Sequence, residues 1–215
     1  MRQEVKELID QRILELYESR TVRDFPVQPV AVLYGMKNCR VMGYRAFAAL
    51  NGCTVRDIIR TMNSADGFTI YEATKDWYLV VVNQDGRSRP RVRWTLAHEL
   101  GHITAGHFVE LAKAGKAGAS PSELAFMEEE ANYFAASFLA PVAAIRALRA
   151  KSADDVRRWF DLSCQAAEYR WAEYRRSEGP DALDSFFRWY PARSAVKTGE
   201  RIYHTPDISA DGFET

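Results

Sequence analysis

The sequence is poor in cysteine: Cys39, Cys53 and Cys164 are the three in a chain of 215 residues. An odd, scattered set builds no disulfide framework and has no metal-binding spacing, so it reads as reduced thiols. Cys164, near a turn, reads as a small buried apolar residue. Excess charge of either sign is also missing. Lys+Arg and Asp+Glu both number 29, which removes the global basic field expected of a protein that wraps nucleic acid. Long apolar runs are absent, and the stretch Trp77–Val82 is far too short to cross a bilayer. Met1 to Lys6 is a charged helix start with no apolar leader, so a cytoplasmic protein without membrane attachment is expected. No internal repeat or low-complexity tract is visible. What is present is a globular composition, 47% hydrophobic and 27% charged, at a length that suits one domain with a small appendage.

Along the chain, Val5, Leu8, Ile9, Ile13, Leu16 and Tyr17 recur at helical spacing and predict an amphipathic first helix over 2–20. Asp24 to Pro29 is a break, after which Pro29 opens a short helix through Tyr34, with Gly35 as its stop. Two helices, Arg45–Leu50 and Val55–Met62, flank the Asn51-Gly52 turn. Phe68–Ala73 and Trp77–Asn83 are β-rich and joined by Thr74-Lys75-Asp76, which predicts a hairpin. A helix follows from about Pro90 to His107. Ser120-Pro121-Ser122-Glu123 is a helix start with a serine cap, proline at the first position and glutamate at the third; that helix runs to about Leu139. Val142–Ala150, Ala153–Phe160 and Cys164–Arg176 are also helical in pattern. The remainder is poorly patterned apart from the aromatic run Phe186 to Tyr190.

The chemistry sits in His98-Glu99-Leu100-Gly101-His102. Two histidines four residues apart on a helix emerge on one face and can take two positions on a tetrahedral Zn²⁺. Glu99, about a quarter turn round, can reach a metal-bound water as general base. Val92, Leu96, Leu100 and Ile103 cluster opposite the histidines as a core face, and the small residues Gly101 and Ala105 leave room for a cleft beside them.

A catalytic zinc site needs a third protein ligand. His107 falls half a turn from His98 on the same helix and is expected to point away; His204 lies in the poorly patterned tail. Glu128-Glu129-Glu130 offers the better donors. Leu124, Met127, Ala131, Ala135, Phe138 and Leu139 form an apolar stripe, and Glu128 falls within it. A carboxylate there is expected to be buried and to need a cation. Glu130 is the alternative ligand. Otherwise it and Glu129 read as a solvated acidic face. Asn132, one turn after Glu128, could hydrogen-bond a ligand histidine and fix its tautomer, or simply be tolerated near a helix edge.

Arg93-Trp94-Thr95-Leu96-Ala97-His98-Glu99-Leu100-Gly101-His102-Ile103, with Gly106-His107, closely resembles the signature of the ImmA/IrrE metallopeptidases. So does the segment Glu128 to Pro141, which carries Ala131-Asn132, then an aromatic and alanine, and ends in Leu139-Ala140-Pro141. The resemblance implies Glu128 as third ligand. The Glu128–Asn132 spacing looks like the Glu-x-x-x-Asp arrangement of thermolysin-type peptidases, with Asn in place of Asp, and Ala140 stands where Met is common. The implied fold is α+β: a zincin-like domain with a short antiparallel sheet, an active-site helix and a ligand helix, plus a small C-terminal helical subdomain. The implied division is an N-terminal helical region 1–63, a catalytic core 64–142, a helical subdomain 143–177 and a tail 178–215. The implied activity is that of a zinc-dependent endopeptidase, with Mn²⁺ as the other metal the chemistry admits. Its implied partner is a protein substrate, a helix-turn-helix transcriptional repressor cut to relieve repression in a stress or mobile-element response. The competing reading is a zinc-containing protein that grasps a repressor or toxin without cutting it.

Tyr78, His107, Tyr169 and Arg170 are of types that could stabilise an oxyanion. Were Trp77–Asn83 an edge strand, an extended substrate could pair with it. Arg87 to Arg93 is a basic cluster, either a solvated loop or a docking patch for an acidic partner. Helices 153–160 and 164–176 could be read as helix-turn-helix. With no basic excess and no evident recognition face, direct DNA binding is not expected.

Overall fold

A computed structural model describes residues 1–19, 25–115, 118–177, 179 and 181–188. The tail's His204 lies outside the described residues. The N-terminal part holds helix α1 (Gln3–Glu18), α2 (Pro29–Gly35), strand β1 (Cys39–Gly43), α3 (Tyr44–Leu50) and α4 (Val55–Met62). Ile9, Ile13 and Tyr17 recur at four-residue spacing and bury one face of α1. The Tyr17 hydroxyl donates to the carbonyl of Phe138, 2.8 Å away. α4 opens with a reciprocal capping box between Thr54 and Asp57.

Strands β2 (Gly67–Glu72) and β3 (Trp77–Val82) form the expected antiparallel hairpin, with Phe68 opposite Val81 and Thr69 opposite Val80. A third strand, not anticipated, joins it. β1 pairs in parallel with β3, Cys39 opposite Tyr78 and Gly43 opposite Val82, so the order is β1-β3-β2. The sheet is therefore mixed, not purely antiparallel, and β3 is central. This corrects the idea that β3 offers a free edge: β1 occupies one side of it and β2 the other. The reason is visible in β3 itself. Tyr78, Val80 and Val82 face the main core, while Val81 packs with Tyr44, Ala48, Ile58 and Phe68 on the opposite face. A strand buried on both faces reads as a continuous apolar run.

Beyond the sheet come α5 (Arg89–Ala105), α6 (His107–Ala114) and α7 (Pro121–Leu139). α7 carries the predicted Ser120 cap, whose hydroxyl accepts from the Glu123 backbone N–H. Helices α8 (Val142–Ala147), α9 (Ala153–Phe160), α10 (Cys164–Arg176) and α11 (Asp184–Phe187) complete the described chain. Among the described residues no helix is long and apolar enough to cross a membrane. The architecture is mixed α+β, with a small sheet and a helical C-terminal part.

Two buried arginines tie the layers together. Arg93 donates to the carbonyls of Val27 (2.7 Å), Phe160 (2.9 Å) and Asp161 (2.7 Å), and pairs with the Asp161 carboxylate. Arg170 donates to the carbonyl of Ala140 at 2.9 Å, at the end of α7, and pairs with Glu173. The expected basic patch over 87–93 is thus largely engaged within the fold. Arg87 and Arg91 both pair with Asp66, and Arg89 with Asp161. Cys164 is exposed at the start of α10, against expectation, because the face of that helix turned inward is the one bearing Ala167 and Arg170.

Candidate metal centre

α5 and α7 pack closely enough to bring their side chains together, and Gly101 sets the distance. A Cβ on Gly101 would stand 3.1 Å from the Phe134 Cβ and 3.2 Å from the Ala131 Cα. Gly101 therefore lies in the helix–helix contact and does not open a cleft beside the histidines. The expected core face of α5 is present: Val92, Leu96, Leu100 and Ile103 are all buried.

Beside that contact, His98 and His102 from α5 meet Glu128 from α7. Their Nε2 atoms are 3.1 Å apart. His98 Nε2 is 3.4 Å from one Glu128 oxygen, and His102 Nε2 is 3.3 Å from the other. A tetrahedral ion with bonds of about 2.0–2.1 Å spaces its ligands about 3.3–3.4 Å apart. The three residues fit such an ion, and together they form a group that could hold a metal. Burial is the main force lowering both histidine pKa values, His102 to about 3. Both rings are therefore neutral near pH 7, as ligation requires. Glu128 itself is 58% exposed. This corrects the expectation of a buried carboxylate: the buried stripe of α7 begins only at Ala131, and the helix's first two turns project into solvent.

Glu99 lies on the sheet side of α5 and is buried. The Thr69 hydroxyl of β2 donates to its Oε2 at 2.7 Å. Burial pushes the Glu99 carboxyl up to about 7, with the Thr69 bond acting the other way. Thr69 was not singled out from the sequence; the only signal is an inward-facing hydroxyl in a hairpin strand preceding the motif.

Asn132 stands beside His98, and its side chain opposes the lowering of the His98 pKa by burial. The His98 Nδ1 is nevertheless buried without a bond of acceptable geometry among the described residues. Asn132 is thus a neighbour of the ring and not a fixed partner of Nδ1.

His107 departs most from expectation. Gly106 adopts φ +81°, which ends α5 and starts α6 at His107. The ring does not point away but folds back onto the site. Its Nδ1 is 2.9 Å from His102 Nδ1, and its Nε2 is 2.7 Å from Glu130 Oε2. Glu130 is accordingly engaged with His107 and largely buried, not a solvated charge, whereas Glu129 is half exposed and pairs with the Met1 ammonium. The other oxyanion candidates separate clearly. Tyr78 is a core ring stacked on Tyr71, and Arg170 is held by Ala140 and Glu173. Tyr169 is exposed and lines a cavity of about 890 Å³ that also touches Asn132, Trp94 and Arg91.

A short mixed sheet, a helix with paired histidines and a glutamate, and a second helix delivering a carboxylate define a domain of the zincin-like metallopeptidase class. The Peptidase_M78 family, the IrrE N-terminal-like domain, matches residues 56–172, more than half of the chain, and the chain belongs to that family. No curated protein matches it. Membership supports a metallopeptidase-like function, implies a metal ion and implies a protein substrate.

Proposed function

We propose that the chain is a zinc-dependent endopeptidase that cuts a partner protein at a defined site, the partner being a helix-turn-helix transcriptional repressor. The observation that carries the chemistry is the 3.1–3.4 Å triangle of His98, His102 and Glu128. Those three residues hold the metal, zinc or alternatively manganese. When bound, the ion supplies Lewis acidity that makes water a nucleophile near neutral pH.

The chain's own residues do the rest. The Glu99 carboxyl titrates near neutrality, so its ionised form can take a proton from attacking water and, once protonated, give it to a leaving amine. Thr69 fixes the carboxylate through Oε2. Thr69 also belongs to β2, which has no strand on its outer side among the described residues. An extended substrate can add to that edge, so peptide docking is assigned to β2 and not to the central β3. Restriction to a repressor rests on the family resemblance.

The test incubates purified protein, loaded with Zn²⁺ or Mn²⁺, with the helix-turn-helix repressor encoded nearest its gene, and reads fragments by intact mass. Wild type should yield discrete fragments; Glu99→Ala should hold metal and yield none. A stable, uncut complex with both proteins would refute the peptidase reading for that partner and favour a non-cutting binder.

A further inference from the structure

The ligand histidines differ behind the metal-facing edge, and the difference has a chemical consequence. His98 Nδ1 has no hydrogen-bond partner of acceptable geometry among the described residues. His102 Nδ1 meets His107 at 2.9 Å, and His107 in turn meets Glu130 at 2.7 Å. The His107 and Glu130 side chains are 3% and 16% exposed, so little water competes for these bonds. We propose that His107 and Glu130 are positioning residues, a relay that holds His102 in the one tautomer and ring orientation a metal ligand needs. The proposal rests on the metal-centre reading above and extends it to residues outside the ligand set.

Proton placement makes the chain directional. A metal takes the lone pair of His102 Nε2, so the ring's proton must sit on Nδ1. That N–H can only donate, so His107 Nδ1 must be the acceptor. The His107 proton is then on Nε2, where Glu130 Oε2 accepts it. Each atom has one role and none conflicts with its neighbour. An ionised carboxylate behind an imidazole strengthens the imidazole as a donor, and here the effect passes through one more ring. The backbone allows it because Gly106, at φ +81°, turns the chain back within one residue. A continuous helix would carry His107 to the far side of α5. Glu130 arrives from α7 two residues after Glu128, so one helix supplies both the third ligand and the end of the relay.

The test uses the full chain and Zn²⁺, with affinity read by chelator competition at a single pH and apo stability read by urea unfolding. His107→Phe should weaken zinc binding roughly 10–100-fold. His107→Gln, which keeps an acceptor and a donor, should recover most of that loss. Glu130→Ala should weaken binding in the wild-type background and change nothing further in His107→Phe, because it acts through His107. Histidine ¹⁵N spectra of the zinc-loaded wild type should show His102 protonated at Nδ1 and His107 at Nε2. A pair that serves packing alone would lower apo stability, leave zinc affinity unchanged and give independent losses in the double variant; that result overturns the proposal. Should His107→Phe not fold, Glu130→Ala alone decides, and unchanged affinity overturns the relay. Failure of the wild type to bind zinc would remove the metal centre and the relay together, whereas tight wild-type binding with inert variants would remove only the relay.

Discussion

Replacing Gly101 with alanine adds one methyl group where α5 and α7 are closest. The new Cβ would lie 3.1 Å from the Phe134 Cβ and Cδ1 and 3.2 Å from the Ala131 Cα. The ring atom can swing aside, but the Cα belongs to the α7 backbone. Relaxing that contact to an ordinary carbon–carbon separation of about 3.5–4.0 Å moves α7 back by roughly 0.3–0.8 Å. Glu128 is three residues before Ala131 on the same helix and retreats with it. Ligand distances tolerate only about 0.2 Å, so the third contact of the metal centre is lost or strained. Folding feels two opposed effects. Alanine in a helix interior stabilises by about 1 kcal/mol relative to glycine, and overpacking a filled contact costs about 1–3 kcal/mol. The net expectation is between no change and a loss of about 2 kcal/mol, with zinc affinity down at least roughly tenfold. Urea unfolding of the apo protein and chelator competition measure the two separately. A variant about 1 kcal/mol more stable than wild type, with unchanged zinc affinity, would show slack between the helices and refute Gly101 as the spacer of the site.

Three further outcomes follow from the same structure. Burial, helped by Asp181, raises the Asp10 carboxyl to about 6 while it accepts from the Tyr133 hydroxyl. The folded protein thus keeps a proton that the unfolded chain releases near pH 4. Stability from this group should fall as pH rises from about 4 to 6 and stay lower above that. After discounting for partial exposure, Asp10→Asn should gain on the order of 1–2 kcal/mol at pH 8 and little at pH 4; equal gains in urea melts at both pH values would refute this. Arg93→Met leaves the carbonyls of Val27, Phe160 and Asp161 without their donor and should cost roughly 3–5 kcal/mol. Arg91→Met, on a half-exposed pair with Asp66, should cost less than about 1 kcal/mol, so similar losses would refute the clamp role. Zinc at about 100 times its Kd should add about 2.7 kcal/mol to stability, and a melting temperature insensitive to chelation would refute the metal centre.

Local rules in the sequence resolve much of the fold. Ser120 and Glu123 mark the start of α7, Pro29 marks α2, and the helical spacing from Val5 to Tyr17 marks α1. The hairpin is legible because Phe68 and the Trp77–Val82 run flank a polar turn. β1 is not, because Cys39-Arg40-Val41-Met42-Gly43 is short and its pairing partner lies some forty residues on. Strand pairing at that range is a tertiary property. The buried roles of Arg93 and Arg170 are equally opaque, since beside their pairs with Asp161 and Glu173 they bond backbone carbonyls, which carry no residue identity.

His107 and Glu128 depart from sequence expectation for one shared reason. Placing His107 opposite His98 assumes one unbroken helix, and placing Glu128 in a buried stripe assumes one helix face packed along its whole length. Gly106 breaks the first assumption by ending α5 in a left-handed turn, and the exposed first two turns of α7 break the second. The histidine pair, set by a four-residue spacing within one helix, shares a face, and Glu128 meets it from α7; the burial of Glu128 and the direction of His107 are what the spacing does not give. A motif thus specifies the atoms that face the candidate metal site but not the atoms behind them. Those depend on where α5 stops and how near α7 comes, and in this chain two glycines set both: Gly106 through its positive φ and Gly101 through its missing side chain.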